Sequence, residues 1–538
     1  MQHEYQSKVL DHLGLVAGMY EELEIGEMID QAIAQEMGPR HVSIGQAVKA
    51  MVLNGLGFVN KQLYLVPMFF ADKPVERLVG DGICAEHLND DVLGRSLDAL
   101  YAVGVTPLYA LLSRHACVKL GLSARVGHVD SSSFHVDGVY NSKTGPEDGV
   151  IHITQGYSRD HRPDLNQVVV TLMVEHQAGI PLLMKPLSGN SSDKRDFAPF
   201  IEAHIGQLRE AHGLEYIVAD SALYTAENLQ RFGDTVKWIS RVPETIKEAK
   251  DAIAQVKLDT MIRLTDEYQY QILASTYAQV PQRWMLVYSE PARQRGKHTI
   301  IKQMLTHSEE DLRAFQKLCR QEFACAPDAE QALDAFKQVV KVSTVRGETI
   351  NPRPRYTQPG RPGNNRPPDR LVFQIDGYLS VSIDMYDERL KQKSCFIVAT
   401  NEVDETRVSH EDLLRTYKGQ SHAEKGFRFL KDPLFLASSL YLKKPERIMA
   451  LLMVMTLCLL VYTALEYRIR QGLRRQNTTF PDQTGKAIQK PTARWIFQYF
   501  VGIHVLIIRQ RQEMVLNLQE QHRAILTLLG DRYEFFYS

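Results

Sequence analysis

The chain has 538 residues, of which 44% are hydrophobic and 24% charged, with a formal net charge of −1. That balance is ordinary for a soluble globular protein, and the length exceeds one compact core, so two or three domains are expected. It excludes a global basic field, which leaves any nucleic-acid contact to local patches.

Six cysteines (Cys84, Cys117, Cys319, Cys325, Cys395 and Cys458) are scattered and form no C-x-x-C pair. A zinc ribbon or disulfide framework is therefore not expected, and a reducing cytosol fits. The start, MQHEYQSKVLDHLG, lacks a basic-then-apolar pattern, so no signal peptide is expected.

Residues 1 to about 120 read as helical. VSIGQAVKAMVLNGLGFV and DDVLGRSLDALYAVG carry apolar residues at three- and four-residue spacing, with Asn89 as an N-cap before the second. Short helices with sharp turns are compatible with DNA binding and equally with a plain helical bundle. The pattern then changes. ARVGHVDSSSFHVDG (124–138), NQVVVTLMVEH (166–176) and GIPLLMKPL (179–187) read as strands, the last two joined by a tight turn at Gln177 to Gly179. A helix is expected from about Asp193 to Ala211, a buried strand at EYIVAD (215–220), a helix near Thr225 to Phe232, and a strand at VKWISRV (236–242). The order β-β-β-α-β-α-β implies a mixed sheet with helices packed on it, its central strands ending at an active face.

Between about 243 and 405 this rhythm breaks. QRWMLVYS, RLVFQID and SCFIVAT read as strands and about 308–340 as an amphipathic helix. NPRPRYTQPGRPGNNRPPDR (351–370) is barred by its prolines from a helix or central strand and reads as a surface loop. Its five arginines also suit phosphate.

A polar helix then opens at Ser409, where Ser409 and Asp412 resemble a capping box, and ends by Pro433. On an ideal helix Tyr417, Gln420, Glu424 and Lys431 share an arc of about 60°, which suits either a solvated face or a functional stripe. IMALLMVMTLCLLVYTAL (448–465) follows, without a charge for 18 residues. That is the lower limit for a membrane span. A buried core helix is the preferred reading, because the run is isolated and directly follows the polar helix. PTARWIFQYFVGI (491–503) reads as a terminal helical segment.

Asp130 sits inside the first strand of the mixed region and Asp220 at the carboxyl end of the fourth. A carboxylate in an apolar strand is costly unless paired or bound to a metal. If those strands are neighbours the two converge, and Glu424 on a helix across that edge would add a third. Three carboxylates without sulfur or imidazole favour Mg²⁺ or Mn²⁺, and two such ions can drive phosphoryl transfer. Asp137 reads as a turn residue, Asp193 and Asp196 as first-turn helix charges, Arg159, His161 and Arg162 as a loop able to touch phosphate, and Trp238 and Trp284 as core.

With these residues, the chain resembles the DDE transposases of bacterial insertion sequences, in the insertion-sequence-four superfamily known by a Tyr-x2-Arg-x3-Glu-x6-Lys helix. Those places hold Tyr417, Gln420, Glu424 and Lys431, with Gln in place of Arg. VDSSS, VADSALYT and WISRVP also match, so the likeness spans roughly 124–505.

The resemblance implies an α/β (mixed α+β) protein with a ribonuclease H-like core. It implies a helical N-terminal domain (1–120), a core split between 121–242 and 406–505 by an insertion (243–405), and a helical tail (506–538). It implies metal-dependent cleavage of DNA at transposon ends and strand transfer into target DNA. Asp130, Asp220 and Glu424 would be catalytic and hold two Mg²⁺ or Mn²⁺ ions. Tyr417, Gln420, Arg428, Lys431, Arg159 and Arg162 would contact DNA, with Gln420 holding it more weakly than Arg. The implied partners are double-stranded DNA and a second copy, as a homodimer on DNA, in the bacterial cytoplasm at the nucleoid, without a membrane. A non-catalytic DNA-binding derivative and a ribonuclease H-like nuclease are the alternatives.

Overall fold

The computed structural model describes residues 5–33, 41–58, 62–136, 140, 149–158, 162–357, 367–432, 442–508 and 512–538. The chain divides into two compact units, one of residues 1–240, 276–282 and 400–538, the other of 241–275 and 283–399.

The first unit opens on a strand, Tyr5–Val9, before a series of helices that includes Leu13–Glu22, Ile25–Ala32, Ile44–Leu56, Asp90–Val103 and Val105–Leu120. Asn89 caps Asp90–Val103 by accepting from Val92 N at 3.1 Å. The opening strand pairs antiparallel with His504–Ile508, which pairs in turn with Gln512–Leu516. Strands therefore precede the two C-terminal helices, where a helical tail was expected. The runs YQSKV and HVLII are short and carry no clear alternation, so neither identifies itself as a strand until the two meet.

His12 is fully buried between the rings of Phe58 and Phe497, at 4.6 and 4.4 Å, and its Nε2–H donates to Leu56 O at 2.7 Å. Burial pushes its pKa down to about 4. The unfolded chain takes up this proton near pH 6.5 while the fold refuses it until about 4, so stability is full above that window and falls with pH inside it. His12→Gln keeps a donor for Leu56. Between about pH 7.5 and about pH 5 it should lose roughly 2 kcal/mol less stability than the parent, read from urea midpoints. Equal losses in the two proteins would rule out His12 as the titrating group.

The mixed sheet of this unit is built from β1 (Val126–His135), β2 (Gln167–Glu175), β3 (Pro181–Ser188), β4 (Tyr216–Ala219) and β5 (Lys237–Arg241). Two helices interrupt them, α1 (Asp193–His212) after β3 and α2 (Ala226–Phe232) after β4. The strand order is β3-β2-β1-β4-β5. β1, β2 and β3 pair antiparallel, whereas β4 runs parallel to both β1 and β5. β2 is buried along its whole length, as its Val-rich run requires of a strand covered on both faces. The β2–β3 connection turns at Gly179, whose φ of +72° lies in the left-handed region that glycine enters without cost.

The unit also holds the helices α3 (His410–Lys418), α4 (Ser421–Leu430) and α5 (Pro445–Arg475). α5 contains the apolar run, and 83% of its most apolar 18-residue window is buried inside the protein. Arg447 near its start pairs with Asp98 at 2.7 Å, and Arg468 near its end pairs with Glu22 at 2.6 Å. The basic flanks thus answer acidic residues of the N-terminal helices.

The second unit holds the strands Ile262–Arg263, Tyr268–Ser275, Gln282–Ser289 and Cys395–Thr400, with helices that include Lys247–Gln255 and Ile383–Ser394. The helix expected over 308–340 is two, Glu290–Cys319 and Ala326–Val339. The first starts much earlier, at the Ser289 cap, which accepts from Ala292 N. The first part of the Pro- and Arg-rich segment is a strand, not a loop: Ser343–Arg355 pairs with Arg370–Val381 in a two-stranded ribbon. Pro352 and Pro354 are tolerated because every strand of such a ribbon is an edge.

Candidate active site

The two aspartates meet through strand register. β1 and β4 are parallel neighbours, and Val129 stands opposite Ala219. Asp130 and Asp220 each follow by one residue, so they emerge side by side where β4 ends. Asp130 is buried (8% exposed) and accepts from Ser131 N at 2.8 Å. Asp220 is half-buried and its Oδ1 accepts from Ala222 N at 2.9 Å, a turn that fixes the carboxylate at the strand end. Ser240 Oγ on β5 donates to Asp220 O at 2.8 Å.

The polar stripe is not one helix. Ser409 caps α3 by accepting from Asp412 N at 3.1 Å, as the sequence implied. The helix then tightens after Lys418: Gln420 N bonds to Tyr417 O and Ala423 N to Gln420 O, both three residues back. Tyr417 therefore closes α3 while Glu424 rides on α4, and the shared arc is broken. Glu424 and Arg428 are exposed, and Tyr417 is half-buried.

Gln420 is buried (7% exposed). Its Nε2–H donates to Val129 O at 2.8 Å, and its Oε1 lies 3.3 Å from His128 Nδ1. Both its amide nitrogen and its amide oxygen thus engage β1, on the side away from the DNA contact expected of it. Lys431, at the end of α4, places its ammonium 5.6 Å from the centre of the Phe134 ring, also on β1. Gln420 to Lys431 advances about 16 Å along a helix, and Val129 to Phe134 about the same along a strand. Gln420 and Lys431 thus tie the start and the end of α4 to β1.

Two further groups adjoin Asp130. Ser131 Oγ hydrogen-bonds to Asp193, in the first turn of α1, while Asp196 Oδ2 accepts from Ser192 N at 2.7 Å. On the other side is a histidine cluster that the sequence did not reveal. His128 Nε2 lies 2.9 Å from His176 Nδ1, with the rings stacked at 5.1 Å, and His422 meets both rings edge-on. Burial, and then the neighbouring His176, pushes the His128 pKa down to about 3. Burial, and then Lys425, pushes His422 down to about 4. All three lie far apart in sequence at no diagnostic spacing. The one available signal was His128 itself, a polar ring two residues before Asp130 in an apolar strand.

Of the other expected residues, Arg162 is exposed and paired with Asp164 at 2.8 Å. Arg159, His161 and Asp137 lie outside the described residues. Trp238 and Trp284 are core, as expected. Among the described residues no three His, Cys, Asp or Glu side chains are grouped so as to hold a metal ion.

A transposase DDE domain model matches residues 122–461, well over half the chain. The chain belongs to the transposase DDE domain family. A second model, a domain of unknown function (DUF4277), matches residues 5–114 of the transposase. No curated protein matches it. Among solved structures, it is similar to a piggyBac transposase synaptic complex with hairpin DNA. That likeness has 7% identity and a TM-score of 0.30, over 96% of this chain and 76% of that one.

Proposed function

We propose that this transposase cuts DNA at the ends of its element and joins the freed 3′ hydroxyl to target DNA, using Asp130, Asp220 and Glu424 with two Mg²⁺ or Mn²⁺ ions. The observation that carries the reading is the parallel register of Val129 with Ala219, which sets two carboxylates side by side. The donor chemistry suits the ions, since carboxylates are hard oxygen ligands, and two of the three stand on neighbouring strands. An open arrangement suits Mg²⁺, which keeps several waters and is held by one or two carboxylates plus substrate phosphate oxygens. When bound, the ions would activate the attacking oxygen and stabilise the leaving one.

The chain's own residues do the rest. Asp130 and Asp220 are held by backbone N–H groups at the end of β4, so their carboxylates are pre-oriented. Glu424 supplies the third carboxylate from an exposed helix face that substrate can approach. Tyr417, Arg428 and Lys431 offer a hydroxyl, a guanidinium and an ammonium to DNA phosphates, with Arg159 and Arg162 as a second basic loop. The strand order β3-β2-β1-β4-β5 supports a ribonuclease H-like core interrupted by residues 243–405. The spacing of Tyr417, Gln420, Glu424 and Lys431 supports the insertion-sequence-four branch. The reading includes a homodimer on double-stranded DNA, since two ends need two sites, a DNA contact by residues 1–120, and action at the bacterial nucleoid.

The test is cleavage of linear DNA carrying the sequences that flank the gene. Strand cutting should appear with Mg²⁺ or Mn²⁺ and vanish on adding EDTA. Cutting that ignores EDTA would overturn the metal reading. End binding without any metal-dependent cut would favour the non-catalytic derivative.

A further inference from the structure

We infer that Gln420 and His128 are positioning residues that hold the Glu424 helix at a fixed height along the Asp130 strand. The inference rests on the catalytic reading above and adds to it the device that brings a helix-borne carboxylate to the sheet.

Hydrogen-bond polarity fixes each partner's role. The Gln420 amide nitrogen can only donate, and it faces Val129 O. Its oxygen can only accept, so the His128 Nδ1 opposite carries the proton. His128 Nε2 is then an acceptor, filled by His176 Nδ1–H from the end of β2. One chain of donors and acceptors thus runs from the end of β2 through β1 to Gln420, the residue that opens α4, and Val129, its anchor, immediately precedes Asp130.

The backbone is fitted to the same cluster. Gly419 has an ordinary helical φ of −61°, so its lack of a side chain is not a conformational need. A Cβ there would lie 2.5 Å from His176 Nδ1 and 2.9 Å from His128 Cε1. The α3–α4 bend lies flush on the imidazoles, and Glu424 follows Gln420 by four residues, one turn along the same helix face.

Arginine at 420 would reverse this chain. It carries five donors and no acceptor, so His128 could meet it only in the other tautomer, with Nε2–H turned to His176. The departure from the family pattern is therefore a different use of the position, on the protein side of the site.

The experiment compares Gln420→Met, Glu424→Gln and the parent for cleavage rate at saturating DNA, half-saturating Mn²⁺, affinity for the DNA end, and Tm. Gln420→Met should cut about tenfold more slowly and need about tenfold more Mn²⁺, because misplacing a reacting group by about 1 Å costs up to a hundredfold. Its end affinity should stay within about twofold, since Gln420 faces the strand and not the DNA. A fold defect alone would not move the metal requirement. If Gln420→Met also melts well below the parent, His128→Leu reads the same link from the strand side, and the same rise in Mn²⁺ requirement is expected. Parental metal dependence in both variants, with Glu424→Gln inert, would overturn the positioning role and leave the catalytic reading standing. So would a loss of end affinity alone. Cleavage by Glu424→Gln at the parental rate would instead sink the catalytic reading itself.

Discussion

Asp130→Asn, Asp220→Asn and Glu424→Gln are each expected to lower metal-dependent cleavage by at least about a thousandfold, equivalent to roughly 4 kcal/mol of transition-state stabilisation. Each substitution removes one negative charge and keeps the side-chain shape, so it weakens the hold on a divalent ion without opening a cavity. The local structure should survive. An asparagine oxygen at 130 can still accept from Ser131 N, and one at 220 can still accept from Ala222 N. Glu424 is exposed and its replacement disturbs no packing. Tm and end affinity are therefore expected to stay close to the parent while cutting is lost. The set also separates the three residues, because any variant that cuts at a parental rate removes that carboxylate from the site.

Leu460→Asp should prevent folding. Leu460 is wholly buried at the middle of α5, among Leu457, Cys458, Leu459 and Val461, which are buried too. An aspartate there loses the leucine's packing and buries a polar group without a partner, which together exceed about 4–5 kcal/mol and use up most of a typical domain's stability. The expected result is loss of soluble protein at normal expression. Arg474→Ala, on the exposed last turn of the same helix, should leave yield and urea midpoint within about 0.5 kcal/mol of the parent. A Leu460→Asp protein that folds and melts normally would show that the run does not serve as core. The polar ends of α5 point the same way, since Arg447 and Arg468 are held by Asp98 and Glu22 at short range.

By itself the sequence determined the local features whose causes lie within a few residues. Alternation and Val-rich runs set β1, β2 and β3. Asn89 and Ser409 marked their helix starts, because a cap needs only its own side chain and the next turn. Asp130 and Asp220 also stood out, since an acidic group in an apolar strand signals itself. The tertiary structure decided what depends on partners distant in the chain. It put β4 beside β1 and so joined residues 130 and 220. It turned Gln420 to the sheet, where its partners are Val129 and His128, about 290 residues away in the chain. It assembled His128, His176 and His422, which no spacing connects. It also made the opening strand and its C-terminal partner out of segments about 500 residues apart. The physical reason is common to all four: hydrogen bonds and burial between remote segments carry no periodic trace in either segment alone.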